Sequence, residues 1–107
     1  ANHEAIAAAK GGIEAMVRAA AASYASRGLR INAIAPSLTD TPLSQAIIGS
    51  EQALEISKRM HPTGDVGEAS DVASLAAWLH SDQAKFVTGQ TFVIDGGISK
   101  IVPKPKV

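Results

Sequence analysis

Bulky apolar side chains fall at Ile6, Ile13, Met16, Val17, Ala20 and Tyr24, with alanine at many of the positions between. Spacings of three, four and seven describe one face of an α-helix, so the pattern predicts a helix over residues 5 to about 26. A basic last turn at Arg27 followed by Gly28 supplies its end. Gly11 and Gly12 sit inside this pattern, each costing about 1 kcal/mol relative to alanine. They call for a reason, either the close approach of a neighbouring backbone or a ligand that needs the room. Residues 29–36 form a short run with Ile31, Ala33, Ile34 and Ala35 that stops at a proline. This predicts a buried strand whose ladder ends at Pro36, which has no N–H to donate. Residues 37–42 read as a polar loop leaving the end of that strand, the place where open α/β sheets put their ligands.

Further on, Leu43, Ile47, Leu54, Ile56 and Met60 with a Gly49-Ser50 break predict one broken helix or two short ones over residues 43–60. Residues 61–67 carry turn chemistry. Val72, Leu75, Ala76 and Leu79 mark a helix from about 68 to 80, with Glu68 and Asp71 at the positive end of its dipole. Trp78 stands one step off that stripe, as a packing or interface residue. A last strand is predicted over residues 91–95, closed by Gly96-Gly97, whose conformational freedom suits a strand end. The tail from 98 to 107 reads as an extended, surface-lying end. Helical rather than hairpin connections between the two strands imply a parallel sheet with helices on its faces. Two strands cannot build that sheet alone, so its other strands must come from elsewhere.

The 107 residues allow at most one domain, and 46% hydrophobic with 19% charged residues is too apolar for disorder. Ten basic against ten acidic side chains give no net charge, which removes the footprint of a general nucleic-acid or anionic-membrane binder and leaves a small ligand or a neutral partner. The lack of cysteine excludes disulfide scaffolds, thiolate metal sites and cysteine nucleophiles, and makes a cytoplasmic location the simpler expectation. His61 and His80 have no partners at metal-ligand spacing, so no metal site is expected. No apolar run approaches the roughly 20 residues that would cross a bilayer. The opening Ala-Asn-His-Glu, with neither an initiator Met nor a signal peptide, reads as cut from something longer.

Four blocks in order give the chain a relationship. Ala8-Ala9-Lys10-Gly11-Gly12-Ile13-Glu14 resembles the active-site helix that follows the Tyr-x-x-x-Lys motif of the short-chain dehydrogenases/reductases. Gly28-Leu29-Arg30-Ile31-Asn32-Ala33-Ile34-Ala35-Pro36 is similar to the strand that runs into that family's nicotinamide loop. Gly67-Glu68-Ala69-Ser70-Asp71-Val72-Ala73 leading to Trp78-Leu79, and Thr88-Gly89-Gln90-Thr91-Phe92-Val93-Ile94-Asp95-Gly96-Gly97, complete the set. The resemblance implies an α/β fold: the C-terminal part of a Rossmann-like doubly wound parallel sheet, in the order α, β, broken α, α, β. Residues 1–107 would then be a piece of one NAD(P)-binding domain, with no separate second domain.

The departures from the family pattern are specific. Four residues before Lys10, where the family carries its catalytic tyrosine, stands Ile6, which has no proton to give. The family's usual Pro-Gly reads Pro36-Ser37 here, and Asp65 stands where an arginine is common. The family's catalytic serine and glycine-rich phosphate loop are not in these residues. Tyr24 lies fourteen residues beyond Lys10, roughly 21 Å along a helix axis, and cannot take the missing tyrosine's place.

By resemblance, Lys10 would hold the nicotinamide ribose and lower the pKa of a neighbouring phenol, although here the second role has no recipient. Otherwise Lys10 is a solvated side chain near Glu14. His3, seven residues earlier and on the same face if the helix reaches it, is a candidate replacement proton donor. Pro36, Ser37, Leu38 and Thr41 resemble the segment that holds the nicotinamide carboxamide, an amide that needs one donor and one acceptor at fixed separation. Thr41 and Pro42 also read as the N-cap and first residue of a helix.

The resemblance thus implies an NAD- or NADP-dependent oxidoreductase acting on a small-molecule carbonyl or alcohol, a homo-oligomer (dimer or tetramer) with no nucleic-acid or membrane partner. The chain alone is expected to be inactive. The alternative is a non-catalytic scaffold or binding subunit of the same fold, motivated by Ile6.

Overall fold

The computed structural model describes residues 2–105. They divide into two compact units, one holding the chain up to Ile34 together with Ala76–Phe92, the other Ala35–Leu75 with the chain from Val93 onward.

In the first unit, helix α1 spans Glu4–Tyr24 and ends through a 3-10 turn, Ala25–Arg27, at Gly28. Gly28 has φ +78°, a left-handed conformation that closes a helix without the strain a side chain would add. Val17 and Ala21 are the buried residues of α1, four apart on the face that the periodicity picks out. The same face carries Ile6 and Ile13, which remain about half exposed. Gly11 and Gly12 face open space, with nothing within 4 Å of a Cβ built at either. The close backbone approach expected there is not supplied by the described residues.

Strand β1 covers Ala33–Pro36 and strand β4 covers Thr91–Ile94, and the two form a two-stranded sheet. In this unit the Gly89 N–H donates to Ile31 O (2.7 Å) and the Ala33 N–H to Gln90 O (2.8 Å), so partners rise together along both strands and the pair is parallel. The predicted strand over 29–36 is therefore shorter as regular structure. Residues 31 and 32 are tied instead by side chains: the Thr88 hydroxyl accepts the Ile31 N–H (3.1 Å), and Asn32 donates from Nδ2 to Val87 O while its Oδ1 accepts the Gln90 N–H (both 3.1 Å). β1 is half-buried rather than buried, because β4 is its one neighbour among the described residues. Arg30 donates to Leu79 O (2.8 Å), Val87 O (3.2 Å) and Ser81 O (3.3 Å), tying the strand entry to the carboxyl end of helix α4, Ala69–His80. Trp78 packs edge-to-face on Phe92, with ring centroids 6.5 Å apart, which confirms it as a packing residue.

In the second unit, the Ser37 N–H donates to Ile94 O (2.9 Å), so the ladder runs one residue past Pro36. Alternate residues of a parallel strand bond to one neighbour, and the missing N–H of Pro36 falls on the other edge. The expectation that proline ends the ladder is corrected accordingly. The segments read as a polar loop and a turn also contain strands. β2 (Thr39–Asp40) pairs in parallel with β3 (Gly67–Glu68). The broken helix takes its two-helix form, α2 at Gln45–Ile48 and α3 at Glu51–Met60, with a 3-10 turn at Pro42–Ser44 leading into α2. Ser50 caps α3 by accepting the Ala53 N–H (3.1 Å). The Asp71 carboxylate accepts the Glu68 N–H (2.8 Å) at the start of α4, using the acidic first turn as expected.

The tail is only partly extended. Residues 96–100 fold into a turn, with N–H bonds from Ile98 to Asp95 O and from Lys100 and Ile101 to Gly97 O. Residues 101–105 carry no regular structure, and the last two positions of the predicted tail lie outside the described residues. No helix of the described residues is long and apolar enough to cross a membrane.

Candidate functional site

The sequence candidates fall into two groups, one in each unit. On α1, Lys10 is exposed, and no ion pair joins it to Glu14; the ion pair found among the described residues is Lys58 with Asp65, at 3.7 Å. Ile6 lies one turn before Lys10 on the same face, 52% exposed. His3 does not extend the helix. It is the N-cap, exposed, with its carbonyl accepting the Ala7 N–H (2.8 Å). It stands about 10 Å along the axis from Lys10 at 1.5 Å per residue.

The other candidates follow one another where β1 ends. Pro36 is exposed, while Ser37, Leu38, Thr39 and Thr41 are half-buried. The loop is fastened at several points. The Thr39 hydroxyl donates to Ser37 O (3.0 Å), and Leu38 O accepts the Gly67 N–H (3.0 Å). Ser44 is buried; its hydroxyl bridges Thr39 O and the Thr41 N–H (3.0 Å for the latter). Thr41 is extended and precedes Pro42, in the N-cap arrangement expected. Its own hydroxyl takes part in a capping box with Ser44 and lies 3.5 Å from Ser44 Oγ, a long contact that leaves its O–H able to donate elsewhere.

One partnership escaped the sequence. Ser37 Oγ lies 2.9 Å from Nε2 of His61, and Nδ1 of the same ring lies 2.8 Å from Ser57 O. A carbonyl can only accept, so Nδ1 carries the proton, and in the neutral ring Nε2 accepts the Ser37 hydroxyl. His61 is 5% exposed. Twenty-four residues separate the pair, so no local spacing could reveal it. The available signal was the serine in place of glycine after Pro36, a polar side chain at a strand end that needs a partner.

Ser37, His61, Thr63 and Gly67 line a groove of about 450 Å³ whose walls also include Asp65, Glu68 and Asp71. Three carboxylates and no cation make it a poor seat for a phosphate and a better one for a neutral or cationic group. Below it, Asp95 closes the strand end: its carboxylate accepts the N–H groups of Gly97 (2.9 Å) and Ser99 (3.0 Å). Hydrogen bonding from the Ser99 side chain, then from the Gly97 backbone, holds its pKa below the ordinary carboxylate value. Among the described residues no group of three or more His, Cys, Asp or Glu could hold a metal ion.

Comparison with known proteins places this geometry. Residues 1–99 match the family described as Enoyl-(Acyl carrier protein) reductase. The chain is 44% identical over 93 residues to 3beta-hydroxysteroid dehydrogenase 1 of Eggerthella lenta, a match covering 87% of the chain and 36% of that protein. It superposes on 4-hydroxyisoleucine dehydrogenase complexed with NADH, with a TM-score of 0.82 and 28% identity over 89% of the chain and 39% of that protein. It also superposes on a gluconate 5-dehydrogenase from Burkholderia cenocepacia in complex with NADP and tartrate, with a TM-score of 0.81 and 29% identity over 90% and 38%. The chain thus spans well under half the length of the proteins it matches.

Proposed function

Because the chain belongs to the short-chain dehydrogenase/reductase family, we propose that residues 1–107 are the C-terminal part of a single NAD(P)-binding Rossmann-like domain. The complete protein is then an oxidoreductase that moves a hydride between nicotinamide and the carbonyl or alcohol of a small molecule. The observation that carries this reading is the loop 36–41. It leaves the end of a parallel strand, is fastened by Gly67 and Ser44, and keeps the Thr41 O–H, held only by a long contact, available to an amide. In this reading Pro36, Ser37, Leu38 and Thr41 receive the nicotinamide carboxamide, beside a groove whose carboxylates disfavour phosphate and tolerate an oxidised, cationic ring. Lys10, exposed on α1, holds the nicotinamide ribose. His3 is an exposed imidazole two turns from Lys10 and stands in for the absent phenol as proton donor.

The chain by itself has no Gly-x-x-x-Gly-x-Gly segment, so it lacks the helix N-terminus that would seat a pyrophosphate and is inactive alone. NAD or NADP is the cofactor of the complete protein. The assembly is a homo-oligomer, dimer or tetramer, in the cytoplasm. Ile13 and Met16 on α1 and Phe86 before β4 are about half to fully exposed in these residues, apolar surface for the rest of the domain or a second copy to cover. Neither nucleic acid nor membrane is a partner.

A second reading has its own observation. Ile6 offers no proton one turn from Lys10, which favours a non-catalytic scaffold or binding subunit of the same fold. Titration of the complete protein with NADH and NADPH, with a Thr41→Val variant beside it, tests the first reading. Saturable binding weakened roughly threefold to tenfold by the loss of one hydrogen bond is expected. Binding without turnover of any carbonyl or alcohol favours the second.

A further inference from the structure

We propose that His61 is a positioning residue: by clamping the Ser37 hydroxyl it holds the loop 36–41 in one conformation before any ligand arrives.

All the polar groups of Ser37 are engaged. Its N–H donates to Ile94 O, its carbonyl accepts the Thr39 hydroxyl and its own hydroxyl donates to His61 Nε2. The first two bonds are local to the strand end. The third ties the loop to the carboxyl end of α3, where His61 is the C-cap residue and its N–H donates to Lys58 O (3.2 Å).

The ring cannot turn away freely. Nδ1–H is held by Ser57 O, and Ser57 is itself buried, its hydroxyl bonded to Ala53 O (2.9 Å). Gly96 packs beside the ring: at φ +57°, a Cβ at this glycine would stand 2.5 Å from Thr63 Oγ1 and in ordinary contact, 3.4 and 3.5 Å, with His61 Cβ and Cδ2. With His61 5% exposed, Nε2 has little access to water, and a buried acceptor without a donor is destabilising. The imidazole therefore selects the loop conformation in which Ser37 points its hydroxyl inward. A loop ordered in advance loses less entropy when it binds. The clamp stands on this geometry; its consequence for a cofactor rests on the function proposed above.

The Gly67 amide reports on the loop, because it donates to Leu38 O, one residue past Ser37. In the complete protein, amide exchange would be compared for Ser37→Ala, His61→Phe, the double variant and His61→Gln, whose side-chain oxygen can still accept from Ser37. The clamp predicts that each single variant lowers Gly67 protection about threefold to tenfold. It also predicts that the double variant adds nothing beyond the larger single loss, and that His61→Gln recovers most of it. Nitrogen-15 shifts of His61 should show the Nδ1–H tautomer, with the Nε2 signal moved by Ser37→Ala. Unchanged Gly67 protection in Ser37→Ala overturns the proposal, and so do additive losses or a glutamine variant as poor as phenylalanine.

In the same protein His61→Phe should raise the dissociation constant for the dinucleotide about threefold to tenfold, and His61→Gln should recover most of that loss. A wild-type protein that binds no dinucleotide refutes the functional reading alone, since the Gly67 measurements decide the clamp without it.

Discussion

Replacing Arg30 by Met removes a guanidinium that touches three carbonyls, and the structure allows the cost to be apportioned. Val87 O keeps a second donor in Asn32 Nδ2, and Ser81 O keeps the Ala84 N–H. Leu79 O, at 2.8 Å the shortest of the three contacts, lies in the last turn of α4, where helix carbonyls lack intrahelical donors. A hydrogen bond from a charged donor contributes about 1.5–3 kcal/mol, and a cation at a helix carboxyl end about 0.3–1 kcal/mol. One such bond fully lost and two partly replaced put Arg30→Met at about 2–4 kcal/mol. Arg30→Lys keeps the charge but not the fork, and should lose about half as much. Urea unfolding followed by the fluorescence of Trp78, which belongs to the same unit, gives the change from the midpoint at constant slope. A loss under about 0.5 kcal/mol for Met at unchanged slope would refute the tie as a source of stability. Lysine as costly as methionine would show that the geometry of the fork, not the charge, was lost.

Three other predictions follow from particular residues. Gly11→Ala with Gly12→Ala should stabilise the chain by about 1–2 kcal/mol in urea unfolding, since both face open space in a helix; if a second copy packs on that face, sedimentation of the complete protein should show the same pair weakening self-association, as Ala8→Arg would. Asp95 should titrate below the ordinary carboxylate range by NMR. Because its folded pKa is depressed, its contribution to stability is present above about pH 4 and is lost as pH falls through the folded value, a dependence that Asp95→Asn should remove. In the complete protein Ile6→Tyr restores a phenol one turn from Lys10 and should raise carbonyl reduction in a steady-state assay, whereas a large loss of an existing activity would show that another mechanism occupies that space.

Elements with a long period were legible in the chain: α1, α3 and α4 announce themselves by apolar spacing, and β1 and β4 by short apolar runs ending in proline or glycine. What escaped has physical causes. β2 and β3 are two residues each, too short for any alternation, and exist because each finds the other. Pro36 ends a ladder only on the edge it faces, and the edge is a property of the sheet. His3 satisfies the helical spacing but caps the helix. For the candidate site, motif order named Lys10 and the loop 36–41 as candidates, but it gave no sign of the Ser37–His61 bond. It depends on α3 returning its carboxyl end to the strand end, a tertiary event that no local spacing encodes.

In the proposed function these residues form the nicotinamide-holding end of an NAD(P)-dependent oxidoreductase. Calorimetric titration of the complete protein and of the 107-residue chain with NADH and NADPH tests it most directly. The account predicts saturable binding of one or both dinucleotides by the complete protein, weakened by Thr41→Val and by loss of the Lys10 ammonium, and none by the chain alone. Failure of the complete protein to bind either dinucleotide, or binding indifferent to both substitutions, would contradict it.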